Sequence, residues 1–520
     1  MATVAESGGG GEVLRSERIA GGILPKVLNS FDMVAIFVAI VLFITNAPVV
    51  ASGAGPAGYV YWILGFITFL IPGAIVTGQL GLMFPGEGSI YVWTTKAFGA
   101  FWGFFGGFCA WWPGVLVMIA TGDVVVSLIQ QLGTQINSAN SWLAAPWQQG
   151  LVIVLVIAFS CWFSILRFRV TQNFVNAIFV CYGGAILLIG IAGLVSVIGG
   201  HAAAVDYSAP KWGLNGSNLT FYSLIILALL GIEVPLNMGV EVKNIRSITR
   251  YLLWGSVVVM VAYLVGTFGV MTAVPVADQS SPSAIAEAVS KGFGGGAFGS
   301  ALGILVNVIF IGFFIFNTVV YNYSFGRLLF VSGLDRRLPP VMSKVNRNRV
   351  PWVAVLVQSV ISGIFTVVVF ILAPLTASNP VNLATIVYDV LQAAVTVIWC
   401  VSMVVLFVDV IVIRYKFAET FARVRLAPTW VFYVCSVVGA FAMAWAVVAT
   451  FTNSWAPQLI GQGPWILWIG SIAVLSLLVG AGLFFLGRAT VKGEVSDEQI
   501  IAEVTGGTGT IADQAPGTAD

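Results

Sequence analysis

The sequence predicts an all-α integral membrane protein: twelve transmembrane helices in an inverted five-plus-five repeat, with the first and sixth helices discontinuous. Three observations carry this. Of 520 residues, 59% are hydrophobic and 8% charged, against about 25% charged in a soluble domain. Apolar runs long enough to span a bilayer recur along the chain, and the basic residues between them fall on one side. Two of the runs are broken at corresponding places by proline and glycine.

Twelve runs are legible, at 31–53, 57–84, 98–132, 150–166, 171–199, 219–240, 251–276, 297–333, 351–373, 381–410, 428–452 and 464–487. The third and eighth are overlong, which predicts tilt or helical extension beyond the bilayer. With residue 1 in the cytoplasm and the sides alternating, only Lys211 and Lys291 of the 23 Lys and Arg fall outside. One missed or invented span would flip every later loop and erase that asymmetry. The expected organisation is a cytoplasmic N-terminal tail over 1–30, a helical domain over 31–487 and a disordered cytoplasmic tail over 488–520, rich in Gly, Thr, Asp and Glu. No apolar segment precedes residue 30, so no cleavable signal is read.

The first run contains Thr45-Asn46-Ala47-Pro48 and the sixth Gly231-Ile232-Glu233-Val234-Pro235. Proline removes a backbone bond and glycine admits the angles a break needs. A break at membrane depth is tolerated where it lines a cavity. Five spans separate the two, so they run in opposite directions, as an inverted repeat requires.

Composition also excludes chemistry. The lone His201 and five Cys without C-x-x-C spacing leave no metal site or nucleophile–base set, and no enzyme or cofactor is expected. A net charge of +2 gives no reason to expect nucleic acid. The glycine runs at 86–88 and 294–296 lack the Lys-Ser/Thr context of a phosphate loop.

Gly231-Ile232-Glu233 through Glu241-Val242-Lys243-Asn244, with Arg246 and Arg250, resembles the sixth-helix signature of the amino acid–polyamine–organocation superfamily. Ile245 stands where that signature has proline. Pro85-Gly86-Glu87-Gly88-Ser89-Ile90-Tyr91-Val92-Trp93 is similar to its loop after helix 2. Leu334-Asp335-Arg336-Arg337-Leu338-Pro339-Pro340, followed by Val350-Pro351-Trp352, is similar to its eighth-to-ninth connection. The short link after Pro48 is similar to the glutamate/GABA antiporter branch, although the Gly-Ser-Gly-Ile-Phe common at the first break elsewhere is absent.

The resemblance implies a LeuT-like fold and secondary active transport of amino acids or related amines across the cell membrane. Protons or an exchanged amino acid would be the coupled partner. A polyamine or organocation transporter, and a non-transporting sensor that kept the fold, are the alternatives. It further implies that a substrate carboxylate meets backbone amides around Asn46, Ala47, Val49, Val50 and Ala51, where a half-helix N-terminus favours an anion. The amino group would meet carbonyls around Ile44 and Leu230, Gly231 and Ile232. Asn46 is equally read as a hydrogen bond between helices.

Asp123, Glu233 and Asp389 lie within spans, where each costs about 2.5–3.5 kcal/mol unless it faces a cavity or a partner. Glu233 either satisfies amides freed by the break or acts as a proton-sensitive gate. Asp123 and Asp389 both fall roughly 12–13 Å below the outer surface at 1.5 Å per residue. They form an acidic vestibule pair or bond to polar neighbours. No Lys or Arg falls at mid-membrane depth, which favours neutral or cationic substrates. Trp111, Trp112, Tyr222 and Tyr388 are aromatics that could cradle an ammonium or simply pack. Residues 171–200 contain no lysine, so the lysine-based proton coupling of some relatives does not carry over.

Overall fold

A computed structural model describes residues 13–137, 141–214, 218–279, 284–376, 378–490 and 497–505. Its order is α1 (Arg15–Ile23), α2 (Ser30–Val41), α3 (Asn46–Ala54), α4 (Ala57–Gly65), α5 (Ile71–Met83), α6 (Ser89–Phe98), α7 (Ala100–Ile136), α8 (Pro146–Ser164), α9 (Phe168–Ile198) and α10 (Thr220–Ala228). It continues with α11 (Arg246–Ala273), α12 (Ala284–Gly292), α13 (Ala297–Leu334), α14 (Trp352–Val367), α15 (Pro380–Lys416), α16 (Ala418–Arg423), α17 (Thr429–Thr452), α18 (Gln462–Thr490) and α19 (Asp497–Thr505). A π-helical turn at Phe66–Leu70 joins α4 to α5, and another at Val368–Leu372 extends α14. Among the described residues there is no strand, only two isolated bridges, Leu28–Val242 and Glu87–Met238.

Among the described residues ten helices are long and apolar enough to cross a membrane, or eleven if α2 and α3, bent by 48°, are counted as one span. The sixth expected run does not form one helix. It gives the nine-residue α10, then short 3₁₀ turns at Val234–Asn237 and Gly239–Glu241. The two overlong runs are continuous helices of 37 and 38 residues, α7 and α13, about 55 Å each against a hydrocarbon core of about 30 Å. α15 is equally long at 37 residues.

α2 packs on α9, α11 and α13, while α11 also holds α3. α7 lies against α13 and α15, and α17 and α18 flank α15 from outside. Burial separates inner from outer helices: 61% of the α7 core window is buried but 28% of that of α18, whose Leu475 and Leu478 stand exposed as lipid-facing side chains.

Both expected tails contain ordered helix. Ile19, Ala20 and Ile23 of α1 are buried with Phe330 and Leu334 of α13 and with Ile500 and Val504 of α19. Ser16 donates from its amide and hydroxyl to Asp335 (2.7 and 2.9 Å), and Lys96 pairs with Glu17 at 2.8 Å. Arg336 pairs with Glu503 at 2.8 Å and Arg18 with Asp497 at 3.2 Å. The expected disorder over 488–520 therefore does not hold for Asp497–Thr505. Its apolar positions recur at helical spacing, and a partner surface buries them. Residues 1–12, 491–496 and 506–520 of those tails lie outside the described residues.

Candidate functional site

The first break spans Leu42–Thr45. Carbonyls at the end of α2 lose their helical partners there, and three buried tyrosines on other helices replace them. Tyr321 donates to Ile40 O (2.7 Å), and Tyr182 to Leu42 O (3.1 Å). Tyr263 shares its proton between Val41 O (3.1 Å) and Ala228 O (3.3 Å). The amides beyond the break donate back, Phe43 to Tyr263 Oη (3.1 Å) and Ile44 to Tyr182 Oη (3.4 Å). Tyr263 thus bonds the backbones of both broken elements. Non-helical backbone at this depth survives because it is satisfied.

The second break turns on Gly231, whose φ of +98° is left-handed. A Cβ there would lie 2.5 Å from Ile40 Cγ2, so glycine is required both for the backbone angle and for the approach of the two breaks. Two residues on, Glu233 is 1% exposed. Its Oε1 accepts from Trp399 Nε1 on α15 (3.3 Å), and its Oε2 has no partner among the described residues.

Trp399 also lines a cavity of about 230 Å³ between the breaks, together with Phe43, Asn46, Leu230, Tyr321 and Gln392. Phe43, Tyr321, Trp399 and Trp455 supply its aromatic wall; Gln392 and Thr396 add polar groups, and among the described residues no basic side chain lines it. Of the backbone positions expected at the site, Asn46 and Leu230 reach this wall. Ile44, Ala47, Val50, Ala51, Gly231 and Ile232 are buried in packing instead. Ile44 and Ala47 press on α11 at Gly266, and Val49 is 41% exposed. The amides of Asn46 and Ala47 donate to Phe43 O (3.0 Å) and Ile44 O (2.9 Å), and Pro48 has none. That tight turn narrows the set of amides the break can offer an anion.

Asp123 on α7 lies one turn from the wall residue Ala120, and Asp389 on α15 one turn from Gln392. Among the described residues neither carboxylate has a hydrogen bond or ion pair, and each lies one helical turn from the cavity wall. The four aromatics singled out in the sequence lie elsewhere. Trp111 donates to Gln358 (3.0 Å), Trp112 stacks on Phe108, Tyr222 bonds Thr68 (2.7 Å) and Tyr388 meets Phe370. The cavity aromatics are scattered over α13, α15, the first break and the 453–461 connection, with no shared local pattern.

Further charges lie inside the helices. Asp32 at the start of α2 pairs with Arg169 (2.6 Å) and accepts from Asn176 (2.7 Å), and Asp409 accepts from Thr94 (2.6 Å). Arg327, expected among the loop bases, is fully buried in α13. It donates to Glu241 Oε1 (2.7 and 2.9 Å) and lies 3.6 Å from Glu87 Oε1. Two buried carboxyl groups share one guanidinium. Burial pushes the Glu87 carboxyl well above its usual value, Glu241 adds to the push, and Arg327 opposes it. Its surroundings therefore favour the protonated form of Glu87. The signal was available, because an arginine or acid within an apolar run needs a partner.

A family model described as amino acid permease matches residues 28–478. The probable agmatine/putrescine antiporter AguD of Lactococcus lactis subsp. lactis is 24% identical over 347 residues, 64% of this chain and 70% of that one. The polyamine transporter RMV1 of Arabidopsis thaliana is 24% identical over 379 residues, 69% of this chain and 68% of its own. The glutamate/serine transporter AimA of Bacillus subtilis is 25% identical over 209 residues, 37% of each chain.

Proposed function

The chain belongs to the amino acid permease family of the amino acid–polyamine–organocation superfamily, and from that premise we propose that it moves a small amine by alternating access around the cavity between its two breaks. It is a multi-pass membrane transporter, not an enzyme. In our reading the twelve spans form the inverted repeat, α2–α3 and α10 with its 3₁₀ turns being the discontinuous pair, with both termini cytoplasmic and the protein in the cell membrane. Residues 31–487 then form the transport domain.

One observation carries the substrate class: an aromatic-walled cavity with Asp123 and Asp389 each one turn from its wall and, among the described residues, no basic side chain lining it. Ring faces and unpaired carboxylates attract an ammonium. An anionic side chain would find no counter-charge. The engaged amides of Asn46 and Ala47 weaken the case for a carboxylate clamp at the first break, so an organic amine such as a diamine fits better than an acidic amino acid. The names of AguD and RMV1 point the same way. Glu233, joined to the wall through Trp399, is the group we assign to gating or proton coupling.

Uptake into proteoliposomes tests this. Putrescine, agmatine or a neutral amino acid should compete for uptake near pH 7 better than glutamate or aspartate. Preferential glutamate transport would overturn the substrate class, and no uptake of any amine or amino acid would overturn the transport reading of this cavity.

A further inference from the structure

Away from the breaks, a second cavity of about 760 Å³ opens among the connections on the side expected to be cytoplasmic. Lys26, Arg167, Arg169, Lys243, Arg347 and Arg349 line it, from four separate stretches of chain. Among the described residues only Arg169 has a carboxylate partner, Asp32. The positive-inside bias explains why each loop is basic. It does not explain their convergence on one concavity, since like charges brought together repel.

Apart from Arg169, whose guanidinium is held by Asp32 and Val27 O, the structure places these bases with backbone and amide bonds that do not engage their cationic groups. Val27 and Leu28 donate to Glu241 O (both 2.9 Å) and Lys243 donates to Leu28 O (2.8 Å), which sets Lys26 and Lys243 on adjoining stretches. Asn346 donates to Ile165 O (2.7 Å) and accepts from the amides of Asn348 (2.9 Å) and Val350 (3.1 Å). That staples the loop carrying Arg347 and Arg349 to the turn before Arg167. Arg349 itself sits at φ +58°, a left-handed angle costly for a side chain of its size. The left-handed backbone and the amide bonds thus keep Arg347 and Arg349, both exposed, on the lining of the same concavity as Arg167.

We propose that this pocket is a binding site for a phosphate-bearing polyanion. Guanidinium groups match phosphate oxygens in bidentate pairs, and basic pockets at the inner membrane surface suit acidic headgroups. Several cations around a space of this size suit two phosphates better than one. The shared chemistry is phosphate, carried by a lipid headgroup or by a free oligophosphate. One wall is continuous with the broken elements and the other with α8–α9 and the α13–α14 connection, so a bound anion ties these together.

The test uses the full chain purified in detergent. Native mass spectrometry reads retention of tetraoleoyl cardiolipin against dioleoylphosphatidylcholine, and thermal unfolding reads stabilisation by inorganic pyrophosphate. The variant R167Q/R347Q/R349Q should bind the phosphate probe at least about tenfold more weakly. R250Q/R423Q/R425Q, which removes equal charge outside the pocket, should change binding by less than about twofold. Binding of cardiolipin alone identifies a lipid headgroup, of pyrophosphate alone a free anion, and of both the phosphate chemistry itself. Neither probe binding, or equal losses in the two triple variants, overturns the site. Should the first triple variant not purify as a folded species, K26Q must show a loss that R250Q does not, or the proposal fails.

Discussion

Trp399 donates its indole N–H to Glu233 Oε1 at 3.3 Å, so an aromatic on the cavity wall and the acid in the second break share one bond. Whatever occupies the cavity touches the partner of Glu233, and whatever changes the charge of Glu233 changes the hold on that wall. The other carboxylate oxygen, buried and without a partner among the described residues, is the unsatisfied end of the pair.

Glu233→Gln keeps the shape and removes the charge. Uptake falls roughly tenfold or more if the change costs at least about 1.4 kcal/mol in the limiting step. Its dependence on pH between about 5 and 8 flattens, while the protein still purifies as a monodisperse species. Wild-type rate and profile would show a residue that only packs.

Asp123→Asn and Asp389→Asn should each weaken competition by a dication such as putrescine while leaving a neutral amino acid nearly unaffected. The double variant shows whether the two act together: losses that add mean independent sites, and losses that do not add mean a shared one. Inhibition curves for both competitors, measured on the same vesicles, decide it. Equal losses for both would mean a structural role.

Tyr263→Phe strips the bonds to Val41 O, Ala228 O and the Phe43 amide at once. Leaving buried backbone groups unpaired costs about 1–3 kcal/mol, so the midpoint of thermal unfolding in detergent drops. Tyr222→Phe, whose half-buried hydroxyl meets only Thr68, should cost less than about 1 kcal/mol. Equal shifts would argue against Tyr263 as the joint between the breaks.

Glu241→Gln breaks the direct partnership with buried Arg327 and should cost about 3–5 kcal/mol. Glu87→Gln should cost under about 1 kcal/mol, because the glutamine amide copies the neutral form that the surroundings of this carboxyl favour. The sign follows from the raised value. Above the ordinary 4.5, the native state keeps a proton on Glu87 that the unfolded chain has lost. Stability contributed below 4.5 is therefore lost as pH rises through the native value. Thermal unfolding against pH should slope less steeply in Glu87→Gln; an unchanged slope would remove Glu87 as the proton holder.

Single cysteines at Ser208 and Ser378 should label with an impermeant thiol reagent from outside intact cells, and cysteines at Asn348 and Arg423 should not. All four positions are exposed, so access reports sidedness alone. Outside labelling of Arg423→Cys would reverse the topology.

Membrane residence, the run of apolar helices and the two interruptions were legible because each is written in consecutive residues. Twenty apolar residues need a bilayer whatever surrounds them, and the Gly231 and Pro48 neighbourhoods break a helix by their own covalent geometry. Asp32, Asp409 and Arg327 were legible on the same ground, as charges inside apolar runs, and were simply passed over. α19 was hidden by a composition that resembles a loose tail, because its order comes from apolar contacts with α1 and α13. The site itself was decided only by the tertiary structure. Nothing local tells that Tyr182, Tyr263 and Tyr321, on three different helices, cap the first break, or that Trp399 meets Glu233 from 166 residues away. Nor does any single loop reveal that Lys26, Arg167, Lys243 and Arg349 face one cavity. Hydrogen bonds and charges act over a few ångströms of space, and only the packed helices set which distant residues lie that close.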